Sequence, residues 1–121
     1  MAQGKLTGRR ILVAEDEYYL ADDLRRALEK EGAAILGPFP TVGRALSAVD
    51  TETIDCAVLD LNLQGELSFG LWERLAERGV PALGVSGYDR SSLPAKFAEI
   101  PLFEKPVDMR KLIDAITTRL P

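Results

Sequence analysis

The sequence predicts an α/β fold in which a five-stranded parallel sheet, doubly wound, lies between two layers of helices in a three-layer α/β/α sandwich. The first observation is that short apolar runs alternate with amphipathic stretches along the 121 residues, a pattern typical of βα units. The second is that acids, a hydroxyl or a lysine lie at the ends of four of the five apolar runs. In open sheets of this kind, ligands bind beyond the carboxyl ends of the strands, so these end residues are the candidates for function.

The predicted strands are apolar runs bounded by turn residues or charges. They cover 11–14, 33–36, 56–61, 80–86 and 100–104. Gly37 and Pro38 are expected to close the second strand. Pro81 lies near the start of the fourth strand, where a missing N–H is tolerated.

Apolar residues at helical spacing predict a helix after each strand. These helices cover 17–31, the stretch after Thr41, the stretch from Ser68 to Gly79, 89–99, and the stretch after Asp108. Thr41, Ser68 and Asp108 are predicted N-caps. The 89–99 helix is the least regular because it contains Pro94. We expect residues 1–8 to form a loose N-terminal tail and 9–121 to form one domain.

Composition excludes several classes of function. A net charge of −4 and a pI of about 4.9 argue against nucleic acid or an anionic membrane as the main partner. No stretch has the length and apolarity of a membrane span or signal peptide, and the lone Cys56 suits a reducing compartment, so we expect a cytoplasmic protein. The absence of histidine excludes a Ser-His-Asp mechanism and a phosphohistidine within this chain.

Acidic residues follow two of the predicted strands. Glu15 and Asp16 come after the first strand, and Asp60 ends the third. If these strands are neighbours, the three carboxylates converge and raise one another's pKa. A hard divalent cation removes that conflict, and Mg²⁺ prefers oxygen ligands of this kind. The sequence therefore predicts a Mg²⁺ site.

The other strand ends suit a phosphoryl group. An aspartate such as Asp60 is a possible nucleophile toward phosphorus. Transfer then requires charge stabilisation and alignment more than acid–base groups. Lys105, after the fifth strand, and the Ser86 hydroxyl, at the end of the fourth, would contact the phosphoryl oxygens.

Taken together, these residues resemble the receiver domain of bacterial two-component response regulators. The resemblance is carried by Glu15-Asp16, by Asp60 within VLDLNLQG, by Ser86 and by Lys105-Pro106, and it covers nearly the whole chain. It implies a flavodoxin-like strand order of 2-1-3-4-5 and a cis bond before Pro106. It also implies Asp60 as the phosphoacceptor, with Glu15, Asp16 and the Asn62 main-chain carbonyl as further metal ligands. The implied phosphodonor is a histidine kinase or a histidine phosphotransfer protein.

The stretch PALGVSGY, residues 81–88, partly resembles a motif of stand-alone receivers that reads Pro-Phe-x-Phe-Ala-Thr-Gly followed by Gly or Tyr. Pro81, Gly87 and Tyr88 agree with it. Ala82 and Gly84 stand where phenylalanines are expected, and a serine replaces the threonine.

A second departure concerns signalling. Many receivers carry a switching aromatic residue three positions before the lysine of the fifth strand, where this chain has Leu102. The neighbouring Phe103 should face the opposite side of the strand. We therefore expect Tyr88, or a rearrangement of 89–99, to transmit the signal.

Other interpretations of the same residues remain open. The acids at 15–17 are also typical of a charged first helical turn. An aspartyl-nucleophile phosphatase usually carries a second acid two residues after its nucleophile, where this chain has Asn62. A binding module that never accepts phosphate, and a receiver cut from a larger regulator, are further alternatives. We expect a phosphoacceptor that switches partner binding and is not a turnover enzyme.

Overall fold

The computed structural model describes residues 4–87, 95 and 100–120. Its parallel sheet contains five strands, which are β1 (Arg10–Ala14), β2 (Ala34–Phe39), β3 (Cys56–Asp60), β6 (Ala82–Ser86) and β7 (Leu102–Glu104). A separate antiparallel hairpin pairs β4 (Asn62–Leu63) with β5 (Glu66–Leu67). The sheet order is β2-β1-β3-β6-β7. Counted along the chain without the hairpin, this is the predicted order 2-1-3-4-5.

Helices cover both faces of the sheet, which confirms the three-layer architecture. α1 (Tyr18–Lys30) and α4 (Met109–Arg119) contribute to one hydrophobic core, and α2 (Val42–Thr51) and α3 (Phe69–Glu77) contribute to the other. Successive strand residues alternate between the two cores, as the pleat requires. Leu59 packs with α2 and α3, whereas Val58 packs with α1 and α4.

Two of the three predicted helix caps are confirmed. The Thr41 hydroxyl accepts a hydrogen bond from Arg44 N at 3.2 Å, and the Asp108 carboxylate accepts one from Lys111 N at 3.2 Å. Ser68 occupies the predicted N-cap position of α3, but the capping hydrogen bond expected of its side chain is absent. Its hydroxyl is bonded to the end of β3 instead.

The second strand is longer than predicted. β2 continues through Gly37 and Pro38 to Phe39, with Gly37 at a φ of 99°. Phe39 O accepts a hydrogen bond from Glu15 N at 2.9 Å. The extension therefore holds the start of the loop that follows β1. The β4–β5 hairpin was not predicted, and the other described strands and helices agree with prediction to within one or two residues at each end.

The described part of the predicted tail is attached to the domain. Leu6 is fully buried in the core beside α1 and α4, and its main-chain N–H donates to Glu31 O at 2.8 Å. The expectation of a loose segment is therefore wrong for residues 4–8, and residues 1–3 lie outside the described residues. Tyr88 and nearly all of the predicted 89–99 helix also lie outside them.

Candidate functional site

The carboxyl ends of the central strands bring the predicted acids together. Glu15 and Asp16 follow β1, and Asp60 ends the adjacent β3. Each of the three contributes one carboxylate oxygen to a group in which all oxygens lie within 4.8 Å of one another. Glu15 and Asp60 are buried, whereas Asp16 is exposed. The cluster is thus open to solvent on one side only.

Main-chain N–H groups orient each of the three acids. Glu17 N donates to Glu15 Oε2 at 3.0 Å, and Asn62 N donates to Asp60 Oδ1 at 3.0 Å. Gln64 N, at the tip of the β4–β5 hairpin, donates to Asp16 Oδ2 at 2.8 Å. The hairpin therefore holds acids from both strands.

Lys105 is the cation of the site. Its Nζ lies 2.8 Å from Asp60 Oδ2, 3.4 Å from Glu17 Oε2 and 3.5 Å from Glu15 Oε2. Its position follows from the sheet, because Lys105 comes directly after β7 and its N–H donates to Ser86 O at 2.9 Å. One lysine thus faces several carboxylates, and a negative charge remains.

Burial and crowding change the titration of the site. Burial raises the pKa of Glu15 to about 8, and the charge of Asp60 and a hydrogen bond to Asp60 add to this rise. The Glu17 N–H and Lys105 act in the opposite direction. Burial by itself would lower the pKa of Lys105, but the hydrogen bond to Asp60 and the nearby acids raise it. Lys105 therefore stays charged while Glu15 takes up a proton near neutral pH.

The surroundings of one atom of the cluster are compatible with a cation. Glu15 Oε1 is buried and accepts no hydrogen bond from the described residues, a costly arrangement for a carboxylate oxygen. A metal ion held by Glu15, Asp16 and Asp60 would satisfy it, and an all-oxygen donor set suits Mg²⁺. The residues present therefore fit a hard divalent cation.

The remaining predicted residues lie at the same edge or near it. Ser86 is buried at the end of β6, and the peptide bond between Lys105 and Pro106 is cis. Leu102 packs in the core of α2 and α3 while Phe103 packs in the opposite core, so these side chains face opposite sides of β7. The role of the Asn62 carbonyl stays a prediction, and Tyr88 lies outside the described residues.

Sequence reasoning missed the role of Ser68. The Ser68 hydroxyl is fully buried and donates to the main-chain oxygen of Asp60 at 2.7 Å. A serine before an amphipathic stretch is also the usual sign of a helix cap. No local signal separates the two roles, because the partner lies eight residues away.

Comparison with known proteins identifies the family of the chain. Residues 11–117 match the family of response regulator receiver domains. The chain belongs to that family. The solution structure of SdrG from Sphingomonas melonis Fr1 is 34% identical, with a TM-score of 0.80 over 96% of this chain and 99% of that one. The BeF3-activated form of SdrG from Pseudomonas melonis Fr1 is 32% identical, with a TM-score of 0.75 over 96% of each chain.

A curated relative of this receiver domain is longer. The uncharacterized transcriptional regulatory protein YbdJ of Bacillus subtilis (strain 168) is 26% identical over 114 residues, which are 89% of this chain and 49% of YbdJ. The receiver domain thus spans about half the length of this relative. In the part of the chain that the structure describes, no helix has both the length and the apolar character needed to cross a bilayer.

Proposed function

We propose that this receiver domain accepts a phosphoryl group on Asp60 from a phosphohistidine of a histidine kinase or phosphotransfer protein. The observation that carries the proposal is the pairing of Asp60 with Lys105, at 2.8 Å, inside a cluster of acids that fits a metal ion. The chain has no histidine, so the donor is another molecule. Such donors act inside the cell, which leads us to propose a cytoplasmic location.

The proposed transfer is an in-line displacement. A carboxylate oxygen of Asp60 attacks phosphorus, and the new O–P bond forms as the P–N bond to the donor imidazole breaks. The electron pair of that bond remains on the imidazole nitrogen. Mg²⁺, when bound by Glu15, Asp16, Asp60 and the Asn62 carbonyl, would neutralise charge on the phosphoryl oxygens.

The other side chains would hold the phosphorylated product. Lys105 already contacts Asp60 Oδ2, so its ammonium is within reach of an oxygen of a phosphoryl group on that carboxylate. The Ser86 hydroxyl would donate to another oxygen. We propose that these new contacts pull on β6 and β7, alter the segment 86–100, and so change partner binding. Unchanged amide exchange across 86–100 after phosphorylation would contradict this switch.

The central test is phosphotransfer from a panel of labelled histidine kinases. We expect label on wild type and on Asp114→Asn, a matched control in which the replaced carboxylate is exposed. Asp60→Asn, nearly isosteric at a buried position, should take no label. Persistent label on Asp60→Asn would show that the acceptor is another residue.

The same assay separates the alternatives. A receiver takes about one phosphoryl group per chain, whereas a phosphatase releases phosphate over many turnovers. We expect the first result, because Asn62 cannot act as a general acid. A binding module would bind Mg²⁺ but take no label from any kinase.

A further inference from the structure

Ser68 makes two hydrogen bonds to the main chain of the proposed phosphoacceptor and of the residue after it. Its hydroxyl donates to Asp60 O at 2.7 Å, and its N–H donates to Leu61 O at 2.9 Å. The side chain is fully buried. Both contacts cross the base of the β4–β5 hairpin.

The sheet explains why Asp60 needs such a donor. The paired register of β1 and β3 ends at Ala14 and Leu59, one residue before Asp60. A buried main-chain oxygen at the end of a ladder is costly unless a side chain or water satisfies it. The Ser68 hydroxyl donates that hydrogen bond to Asp60 O, and it thereby fixes the main chain that carries the Asp60 carboxylate.

The hairpin carries this restraint to the metal-binding acids. The hairpin begins after Asp60 at the end of β3 and ends at Ser68. Within it, Asn62 N donates a hydrogen bond to Asp60 Oδ1, and Gln64 N donates one to Asp16 Oδ2. The Asn62 side-chain oxygen also accepts Gly65 N at 2.8 Å, which closes the turn. Displacement of Ser68 would therefore move the two N–H groups that orient the acids.

We infer that Ser68 is a positioning residue, whose hydroxyl holds Asp60 and Asp16 at the spacing that binds the metal and the phosphoryl group. This inference rests on the proposed function of the same site. It assigns to Ser68 a role that its place before α3 does not require, because the helix begins there without a cap bond from this side chain.

The test compares Ser68→Ala and Ser68→Cys with Thr41→Ala. The cysteine variant keeps the shape of the side chain with a larger terminal atom, and its thiol is only a weak donor. Thr41→Ala removes a hydroxyl contact to the main chain of α2, and it controls for a general loss of stability. The first readout is amide hydrogen exchange of Asn62 and Gln64 in metal-free protein. The second is NMR titration with BeF3⁻ at saturating Mg²⁺.

In both Ser68 variants we expect exchange of these two amides to accelerate and BeF3⁻ affinity to fall by about tenfold, the lower end of the effect of residues that orient metal ligands. Thr41→Ala should change neither. If Ser68→Ala does not fold, the cysteine variant decides the question. Two results would overturn the inference, namely wild-type behaviour of Ser68→Cys or equal behaviour of the Ser68 variants and Thr41→Ala.

The two readouts separate this inference from the proposed function. If wild type itself fails to respond to Mg²⁺ and BeF3⁻, the proposed function fails. Exchange of Asn62 and Gln64 in metal-free protein still decides whether Ser68 positions the hairpin.

Discussion

Glu15 is one of two buried acids of the site, and its proton would compete with a metal ion for the same carboxylate. Because burial raises its pKa to about 8, the folded protein retains this proton at neutral pH, whereas the unfolded chain loses it near 4.5. The Glu15 contribution to the free energy of unfolding is therefore complete below about pH 4.5 and is lost as pH rises through about 8. Metal binding has the opposite dependence, because it requires the ionised carboxylate.

We predict that Mg²⁺ affinity rises from pH 6 to about pH 8 and then levels off. One competing proton allows at most about a tenfold change per pH unit. NMR titrations with Mg²⁺ at several pH values would measure the profile, and Glu15→Gln, which has no proton to lose, should flatten it. A flat profile for wild type would show that Glu15 is already ionised at neutral pH.

Lys105 should have two opposed effects on the site, because it neutralises charge of the acids and, in the proposed function, would bind the phosphoryl group. Lys105→Met should therefore strengthen Mg²⁺ binding, by about 1 kcal/mol or roughly fivefold for a partly solvated charge. The same variant should weaken the response to BeF3⁻. Lys111→Met removes an exposed lysine on α4 and should change neither titration. Weaker Mg²⁺ binding in Lys105→Met would mean that the lysine organises the acids more than it repels the metal.

At the scale of elements, a feature could be predicted from the sequence only where the residues that determine it are close together in the chain. Asp60 and Lys105 could be identified because each directly follows an apolar run, and parallel strands bring such ends to one edge. The extension of β2 to Phe39 could not, because it depends on the bond from Glu15 N, which is distant in sequence. The predicted capping bond of Ser68 was wrong for a similar reason, because its hydroxyl donates to the end of β3 and not to the adjacent helix.

The space beside Gly84 in β6 is occupied by side chains from neighbouring parts of the chain. A Cβ at Gly84 would lie 3.0 Å from Leu102 Cδ1, 3.1 Å from Trp72 Cζ2 and 3.3 Å from Leu61 Cδ2. The stand-alone motif that residues 81–88 partly resemble has phenylalanine at this strand position. Here Trp72 of α3 packs over the strand and fills part of that volume, so the aromatic group is supplied by the helix.

We predict that Gly84→Phe destabilises the domain by about 3 kcal/mol, because it overpacks this contact. In Trp72→Ala/Gly84→Phe the new ring gains space, so the double variant should lose about 2 kcal/mol less than the sum of the single variants. Urea unfolding of all four proteins would measure the coupling. Gly43→Phe, at an exposed helical position with open space around it, should cost little. Strict additivity would show that Trp72 does not occupy the space of the missing phenylalanine.

At the scale of the whole molecule, the two ends of the sheet have different roles, one in the candidate site and the other in stability. The carboxyl ends of the strands carry the acids and Lys105, whereas the segment before β1 closes the opposite end. There Leu6 is fully buried beside α1 and α4. Lys5 reaches Asp114 of α4 at 3.0 Å, but both side chains are more than half exposed. Stability and ligand binding should therefore respond separately to changes at the two ends.

Leu6→Ala tests this separation. Loss of a fully buried leucine should lower the free energy of unfolding by about 3 kcal/mol, while Lys5→Ala, which breaks only an exposed ion pair, should cost no more than about 0.5 kcal/mol. Neither change touches the acids, so Mg²⁺ affinity measured well below the melting temperature should stay at the wild-type value in both. Lys105→Met, by contrast, should change the Mg²⁺ affinity. A clear loss of Mg²⁺ affinity in folded Leu6→Ala would show that the segment before β1 is coupled to the site through α1, whose first residues follow the candidate metal ligands Glu15 and Asp16.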